Sequence, residues 1–227
     1  ATFRITGKHP ELWNAIDGSV RDLPSFTETD STTSVPLEFA RHGSAFIVFK
    51  KDAKHGDTAK SNYPADEQTI LINQPWTVTF DNKMRGPAGP VVFNALTDWS
   101  QSTNDSIKYY SGTAFYHNTF KIDKIKKHAN YIIDLGSAYA IAKVFINGVE
   151  MGGAWTAPYQ VDITKALKTG KNELKIKVVS TWMNRLVGDS RLPLSQRKTF
   201  VHYGPGPTTG LEPSGLSGPV MIKVIKY

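Results

Sequence analysis

Apolar and polar residues alternate in short stretches, broken every few positions by Gly, Pro or Asn-Gly, and this limits what the chain can become. Over residues 173–180, Leu174, Ile176 and Val178 face one way and Lys175 and Lys177 the other, the pattern of an antiparallel strand with one buried face. Residues 219–227 repeat it with Val220, Ile222 and Val224. Shorter strand-like runs occupy 69–72, 76–80, 91–94, 112–121, 129–135, 142–146, 149–151 and 159–162. Asn147-Gly148 suits a two-residue turn, because both positions tolerate positive φ. One helical turn is expected, from Thr164 toward Gly170. Many short strands with Gly and Pro turns predict an all-β fold, an antiparallel β-sandwich of the jelly-roll type, over residues 69–227.

The first 50 residues add a small group of strands. Residues 3–6 are β-like; 12–16 and 20–23 flank Asp17-Gly18 as a hairpin; 34–40 and 44–50 flank Arg41, His42 and Gly43 as a second. Residues 51–68 turn polar and read as a linker. Fifty residues approach the lower size limit for a domain without disulfides or metals. They are therefore expected either to pack on the larger module or to close a β-domain that begins upstream. A start in mid-strand pattern without methionine favours a fragment or processed chain.

With 40% hydrophobic and 21% charged residues, the 227-residue chain has a globular rather than a disordered composition. No apolar run approaches the roughly 20 residues of a membrane helix, and residues 1–10 hold no signal-peptide core. Without cysteine there are no disulfides, thiolate nucleophiles or cysteine zinc sites. The net charge of +7 raises nucleic acid as a partner, but the lysines are dispersed along outer strand faces and in the 121–127 connection rather than gathered on one helix. Neither nucleic acid nor membrane is the expected partner.

Nucleophile-elbow, phosphate-loop and His-Glu-x-x-His patterns are absent, and the six histidines lack metal-ligand spacing. Calcium is compatible with a jelly roll, but no Asp-x-Asp-x-Asp loop announces it; no cofactor is expected and the metal content stays open. Glycoside hydrolysis needs two carboxyl groups about 5 to 9.5 Å apart. Asp98, Asp105, Asp134, Glu150, Asp162, Glu173 and Asp189 are the candidates, most with a structural explanation in a turn or loop.

Aromatic residues are more telling, since sugar rings stack on indoles while Asn, Asp and Arg bind hydroxyls. Trp99 lies in the 97–105 loop, Trp155 follows Gly152-Gly153-Ala154, and Trp182 leads into Asn184, Arg185 and Asp189. These six are the candidate carbohydrate-binding residues. The alternative is that Trp155 and Trp182 plug the ends of the core, where Trp13 and Trp76 are also expected.

Taken in order, Tyr110-Ser-Gly-Thr-Ala-Phe-Tyr, Ile133-Asp-Leu-Gly, Val144-Phe-Ile-Asn-Gly, Gly153-Ala-Trp-Thr-Ala-Pro-Tyr-Gln-Val-Asp-Ile-Thr and Trp182-Met-Asn-Arg-Leu-Val-Gly-Asp resemble the galactose-binding-like jelly roll of glycoside hydrolases, as in the sugar-binding domains of family 2. The Asn184-to-Asp189 element, with Pro10-Glu-Leu-Trp and Arg21-Asp-Leu-Pro, is similar to the C-terminal region of family 106, the bacterial α-L-rhamnosidases. The resemblance implies a secreted or periplasmic polysaccharide-degrading enzyme whose catalytic carboxylates sit in an upstream (β/α)₈ barrel, so no catalytic residue is assigned here. It also implies a carbohydrate partner, plant or pectic and rhamnose-containing, and an upstream catalytic domain of the same protein. Two other readings stay open: an autonomous hydrolase using a carboxylate pair, and a basic module that binds acidic polysaccharide.

Overall fold

The computed structural model describes residues 1–40, 43–52 and 56–226, and the chain divides into two compact units. One comprises Ala1–Asp66 with the last residues from Ile225; the other is Glu67–Val224.

The smaller unit holds β1 (Thr2–Phe3), β2 (Lys8–Trp13), β3 (Val20–Asp22), β4 (Thr27–Glu28), β5 (Thr33–Ser34) and β6 (Phe46–Asp52), in two three-stranded sheets ordered β1-β5-β4 and β3-β2-β6. Its buried apolar core is Leu23, Phe26 and Val35, flanked by Phe3, Leu12, Leu37, Ile47 and Phe49. So small a core leaves much of the work to polar contacts. Asn62, 3% exposed, accepts from Ser25 N at 2.8 Å and donates to Ser25 O at 2.7 Å and Pro36 O at 3.1 Å. The Glu11 carboxylate pairs with Lys51 at 2.7 Å and accepts from the Trp13 indole at 3.1 Å.

Several expectations change here. The β2–β3 connection spans residues 14–19 rather than two, because the Asn14 and Asp17 side chains accept from Ile16 N and Ser19 N and close local turns before the strands meet. The second hairpin does not form. β5 pairs with β1 and β4, β6 pairs with β2, and Pro36 interrupts the run between them; Arg41 and His42 lie outside the described residues. Within 51–68, β6 runs to Asp52, Asn62 is wired as above, the Tyr63 hydroxyl accepts from Glu38 N at 2.7 Å, and the next strand starts at Ala65. Trp13 is 37% exposed, not a core residue.

The larger unit continues with β7 (Ala65–Leu71), β8 (Trp76–Phe80), β9 (Val91–Phe93), α1 (Asp105–Lys108), β10 (Thr113–Ile122), β11 (Asn130–Asp134), β12 (Ser137–Tyr139), β13 (Ile141–Ile146), β14 (Val149–Ala154), β15 (Gln160–Asp162), β16 (Gly170–Val179), α2 (Met183–Ser190), β17 (Gly215–Gly218) and β18 (Met221–Lys226). A six-stranded sheet, β14-β13-β16-β10-β8-β9, and a four-stranded one, β15-β11-β18-β7, bury their apolar faces in one core. Leu174, Ile176 and Val178 of β16 meet Ala142, Val144 and Ile146 of β13 and Ala114, Tyr116 and Phe120 of β10 on that face, with Tyr131, Ile133, Ile222 and Val224 from the other sheet. This is the antiparallel β-sandwich expected for residues 69–227. The helical turn expected from Thr164 is a 3-10 turn, Thr164–Ala166.

At the β13–β14 turn Asn147 and Gly148 take φ of 51° and 85°, as the Asn-Gly signal requires. Behind it Asn172, fully buried, accepts from Lys168 N at 2.9 Å and Asn147 Nδ2 at 2.8 Å and donates to Lys168 O at 2.7 Å and Gly170 O at 3.1 Å. Replacing Asn172 with Ala strands these buried partners and is expected to cost about 2–3 kcal/mol, read as a lowered urea midpoint with unchanged slope.

Candidate carbohydrate-contact surface

Of the six predicted site residues, only Trp155 and Trp182 present their side chains to solvent, 61% and 51% exposed. Neither plugs the core. Trp155 directly follows the last residue of β14, which registers with Ala142, and Trp182 follows the end of β16, where Val178 registers with the same Ala142. Both indoles therefore leave the same end of the six-stranded sheet, from strands two positions apart, roughly 10 Å at the usual strand spacing.

Trp99 is not a platform. It is wholly buried, stacked on Tyr116 with ring centroids 6.3 Å apart and 4° between planes, and edge-on to Tyr110 at 5.5 Å. Its loop is drawn inward because the Asp98 carboxylate accepts from both Ser100 N and Ser214 N at 2.9 Å. A methyl on Gly215 would stand 2.4 Å from the Trp99 ring, and Gly215 has φ of 85°, so only glycine fits beneath the indole.

Asn184, Arg185 and Asp189 lie on α2, an eight-residue helix that the sequence conceals, since Asn, Gly, Asp and Ser are weak helix formers. All three are buried; Asn184 and Asp189 are turned to tertiary contacts and Arg185 to Asp189. Asn184 accepts from Glu212 N at 2.8 Å and donates to Glu212 O at 2.7 Å and Ser214 Oγ at 3.2 Å. Asp189 Oδ2 accepts from Lys198 N, Thr199 N and Thr199 Oγ1 at 2.7–2.8 Å, while Oδ1 pairs with Arg185 Nη2 at 2.9 Å. The helix thus fastens the 191–214 connection at two places. That connection exposes Phe200 at 82% and Tyr203 at 91%, two large aromatics that sequence reasoning passed over because no strand pattern or clustered motif marks them.

Beside α2 lies a cleft of about 290 Å³ bounded by Arg85, Asp105, Tyr109, Arg185, Gly188 and Arg191. Gly188 sits where any Cβ would come within 2.6 Å of both the Arg185 guanidinium and Tyr109 Cβ, so its lack of a side chain lets Arg185 lie across the helix. Burial pushes the Arg185 guanidinium toward losing its charge, Asp189 opposes this, and neighbouring Arg85 adds to it. For Asp189 burial raises the carboxyl, but the Thr199 and Lys198 hydrogen bonds and Arg185 outweigh it and hold the group below the ordinary carboxylate value.

The candidate carboxylates are each engaged or dispersed. Asp98 and Asp162 cap turns, Asp134 pairs with Lys223 at 2.8 Å, and Glu150 pairs with Lys143 at 2.7 Å. Among the described residues no group of three or more His, Asp or Glu side chains is placed to hold a metal ion.

With this geometry in view, the relatives are informative. Residues 96–206 match the family model described as glycosyl hydrolase 2 galactose-binding domain-like. A rhamnosidase from Novosphingobium sp. PP1Y is 33% identical over 99% of this chain with a TM-score of 0.88, and the chain spans 21% of that protein. A putative beta-glucuronidase from Formosa agariphila is 41% identical over 140 residues, 61% of this chain and 12% of that protein. A beta-glucuronidase from Ruminococcus gnavus, 19% identical over 72% of this chain and 30% of its own length, shares the fold at a TM-score of 0.54. The sandwich therefore has the galactose-binding-like fold and is similar, over residues 96–206, to a domain described for glycoside hydrolases, and the chain spans only a small part of the relatives it matches.

Replacing Asp189 with Asn leaves Arg185 buried without its counter-charge and is expected to cost about 3 kcal/mol or more at pH 7. Because the folded-state carboxyl is lowered, its contribution is complete above the unfolded value near 4 and is lost as pH falls through the folded one. The stability gap between wild type and variant, measured by urea unfolding from pH 7 to pH 3, should hold to about pH 4 and narrow below it.

Proposed function

We propose that this chain is a non-catalytic β-sandwich portion of a bacterial, rhamnosidase-like glycoside hydrolase, acting in polysaccharide degradation by bracing the catalytic domain or holding polysaccharide beside it. The observation that carries this reading is the match to the Novosphingobium rhamnosidase over 99% of this chain but only 21% of that protein. The structural engagement of Asp98, Asp134, Glu150, Asp162 and Asp189 supports it, because a catalytic acid or base must be free to reach substrate. Trp155 and Trp182 would supply stacking faces at one sheet end. The setting that fits is the periplasm or cell exterior, with rhamnose-containing plant or pectic polysaccharide as the partner.

The isolated chain is expected to release no product from aryl α-L-rhamnosides or aryl β-glucuronides; turnover abolished by replacing one carboxylate would establish an autonomous enzyme instead. Calorimetry with rhamnose-containing oligosaccharides should show binding weakened about tenfold, roughly 1.4 kcal/mol, by Trp155→Ala or Trp182→Ala. Absence of heat with every oligosaccharide would leave only the bracing role.

A further inference from the structure

Three arginines line one cleft: Arg85 from the turn after β8, Arg185 from α2 and Arg191 from the end of the same helix. Arg185 is only 4% exposed, and its side chain has a single described partner, Asp189. Among the described residues the Nε atoms of Arg85 and Arg185 are buried without a hydrogen-bond acceptor. Unpartnered buried N–H groups are uncommon in folded proteins, and two of those found here belong to arginines that line this cleft. Among the described residues Arg85 donates to the Gln196 carbonyl; Arg191 donates to Pro207 O at 2.8 Å and lies over the Tyr109 ring at 5.3 Å. The acidic groups nearby do not use up these donors. Asp189 Oδ2 accepts three hydrogen bonds and its buried Oδ1, which pairs with Arg185 Nη2 at 2.9 Å, makes no hydrogen bond, while exposed Asp105 at the rim makes no ion pair among the described residues. The Arg85 charge disfavours that of Arg185, and a carboxylate or sulfate oxyanion is the partner that planar guanidinium donors suit. At about 290 Å³ the cleft stands at the small end of the roughly 300–1,000 Å³ range of small-molecule sites, room for about one sugar residue.

We infer that this cleft binds the anionic group of an acidic saccharide, a uronate carboxylate or a sugar sulfate ester, with Arg85, Arg185 and Arg191 as donors and Asp105 taking a ring hydroxyl. The saccharide part rests on the function proposed above; the oxyanion part rests on the arginines alone.

The test is calorimetry of the intact chain with D-glucuronate, D-galacturonate and a sulfated L-rhamnose, each against its neutral counterpart, glucose, galactose or L-rhamnose, and with inorganic sulfate alone. At least one acidic sugar is expected to bind ten-fold or more tightly than its neutral counterpart and to weaken as salt rises. The uronate and sulfate arms separate the two sources. Arg191→Gln, at an exposed position, should lower that affinity at least five-fold without changing the melting temperature by more than a degree or so, and Arg85→Gln should act in the same direction. Equal binding of acidic and neutral sugars, no binding of any acidic sugar, or unchanged affinity in both variants would overturn the proposal. Inorganic sulfate binding as tightly as the sulfated sugar would overturn its saccharide part. Rhamnoside turnover by the isolated chain would remove the non-catalytic reading while leaving the cleft untouched, so the two failures are distinguishable.

Discussion

The seating of Trp99 on Gly215 is the contact on which one end of the sandwich depends. A whole indole is removed from water at a place where the opposing chain has no side chain, and the Asp98 carboxylate ties the two segments together through Ser100 N and Ser214 N. Trp99 also completes an aromatic cluster with Phe80, Tyr110 and Tyr116. The Tyr110 hydroxyl accepts from Asp81 N and donates to Thr113 O, and the Tyr116 hydroxyl accepts from Leu216 N. Burial raises both phenols above their ordinary value, so each stays a neutral hydroxyl able to hold its backbone partners. Once Ser214 is fixed in this way, Asn184 can clasp Glu212 and Ser214, and α2 acquires a defined place from which Asp189 holds Thr199.

The two units reach stability by different routes. In the larger one, two apolar sheet faces share a core of many Val, Ile, Leu and aromatic residues, and polar side chains such as Asn147 and Asn172 fix the turns at its edge. The smaller one buries three apolar residues fully and relies on Asn62, Glu11 and Lys51 to hold short strands together. A buried amide or carboxylate contributes little beyond its desolvation cost, but it penalises every alternative arrangement that leaves it unpaired. Specificity is thus bought with polar groups where apolar area is scarce.

What could be read beforehand follows from how local each signal is. The alternation of β16 and the Asn147-Gly148 turn depend on neighbouring residues alone, and both were legible. Asp17-Gly18 misled because Asn14, three residues earlier, competes for the backbone. Helix α2 was illegible for the opposite reason. It is held by Ser111, Glu212, Ser214 and Thr199, all distant in sequence, and its own residues favour turns. The site residues divide along the same line. Trp155 and Trp182 are exposed, as a platform must be; Trp99 looked equivalent in sequence, yet its exposure was decided by a glycine more than a hundred residues away. The arginine cleft draws on positions 85, 185 and 191 and has no contiguous motif to find.

Gly188 makes that cleft dependent on an absence. Its backbone is ordinary helix, so no conformational demand calls for glycine; the demand comes from the Arg185 guanidinium and the Tyr109 side chain, which occupy the space a methyl group would take. In related chains the residue at this position therefore serves as a marker. Where glycine stands with arginine three residues before it, the guanidinium can lie across the helix at that point and the cleft can be kept; where any larger residue stands, the arginine must point elsewhere. A single methyl group would then separate chains that carry this cleft from chains that share only the sandwich.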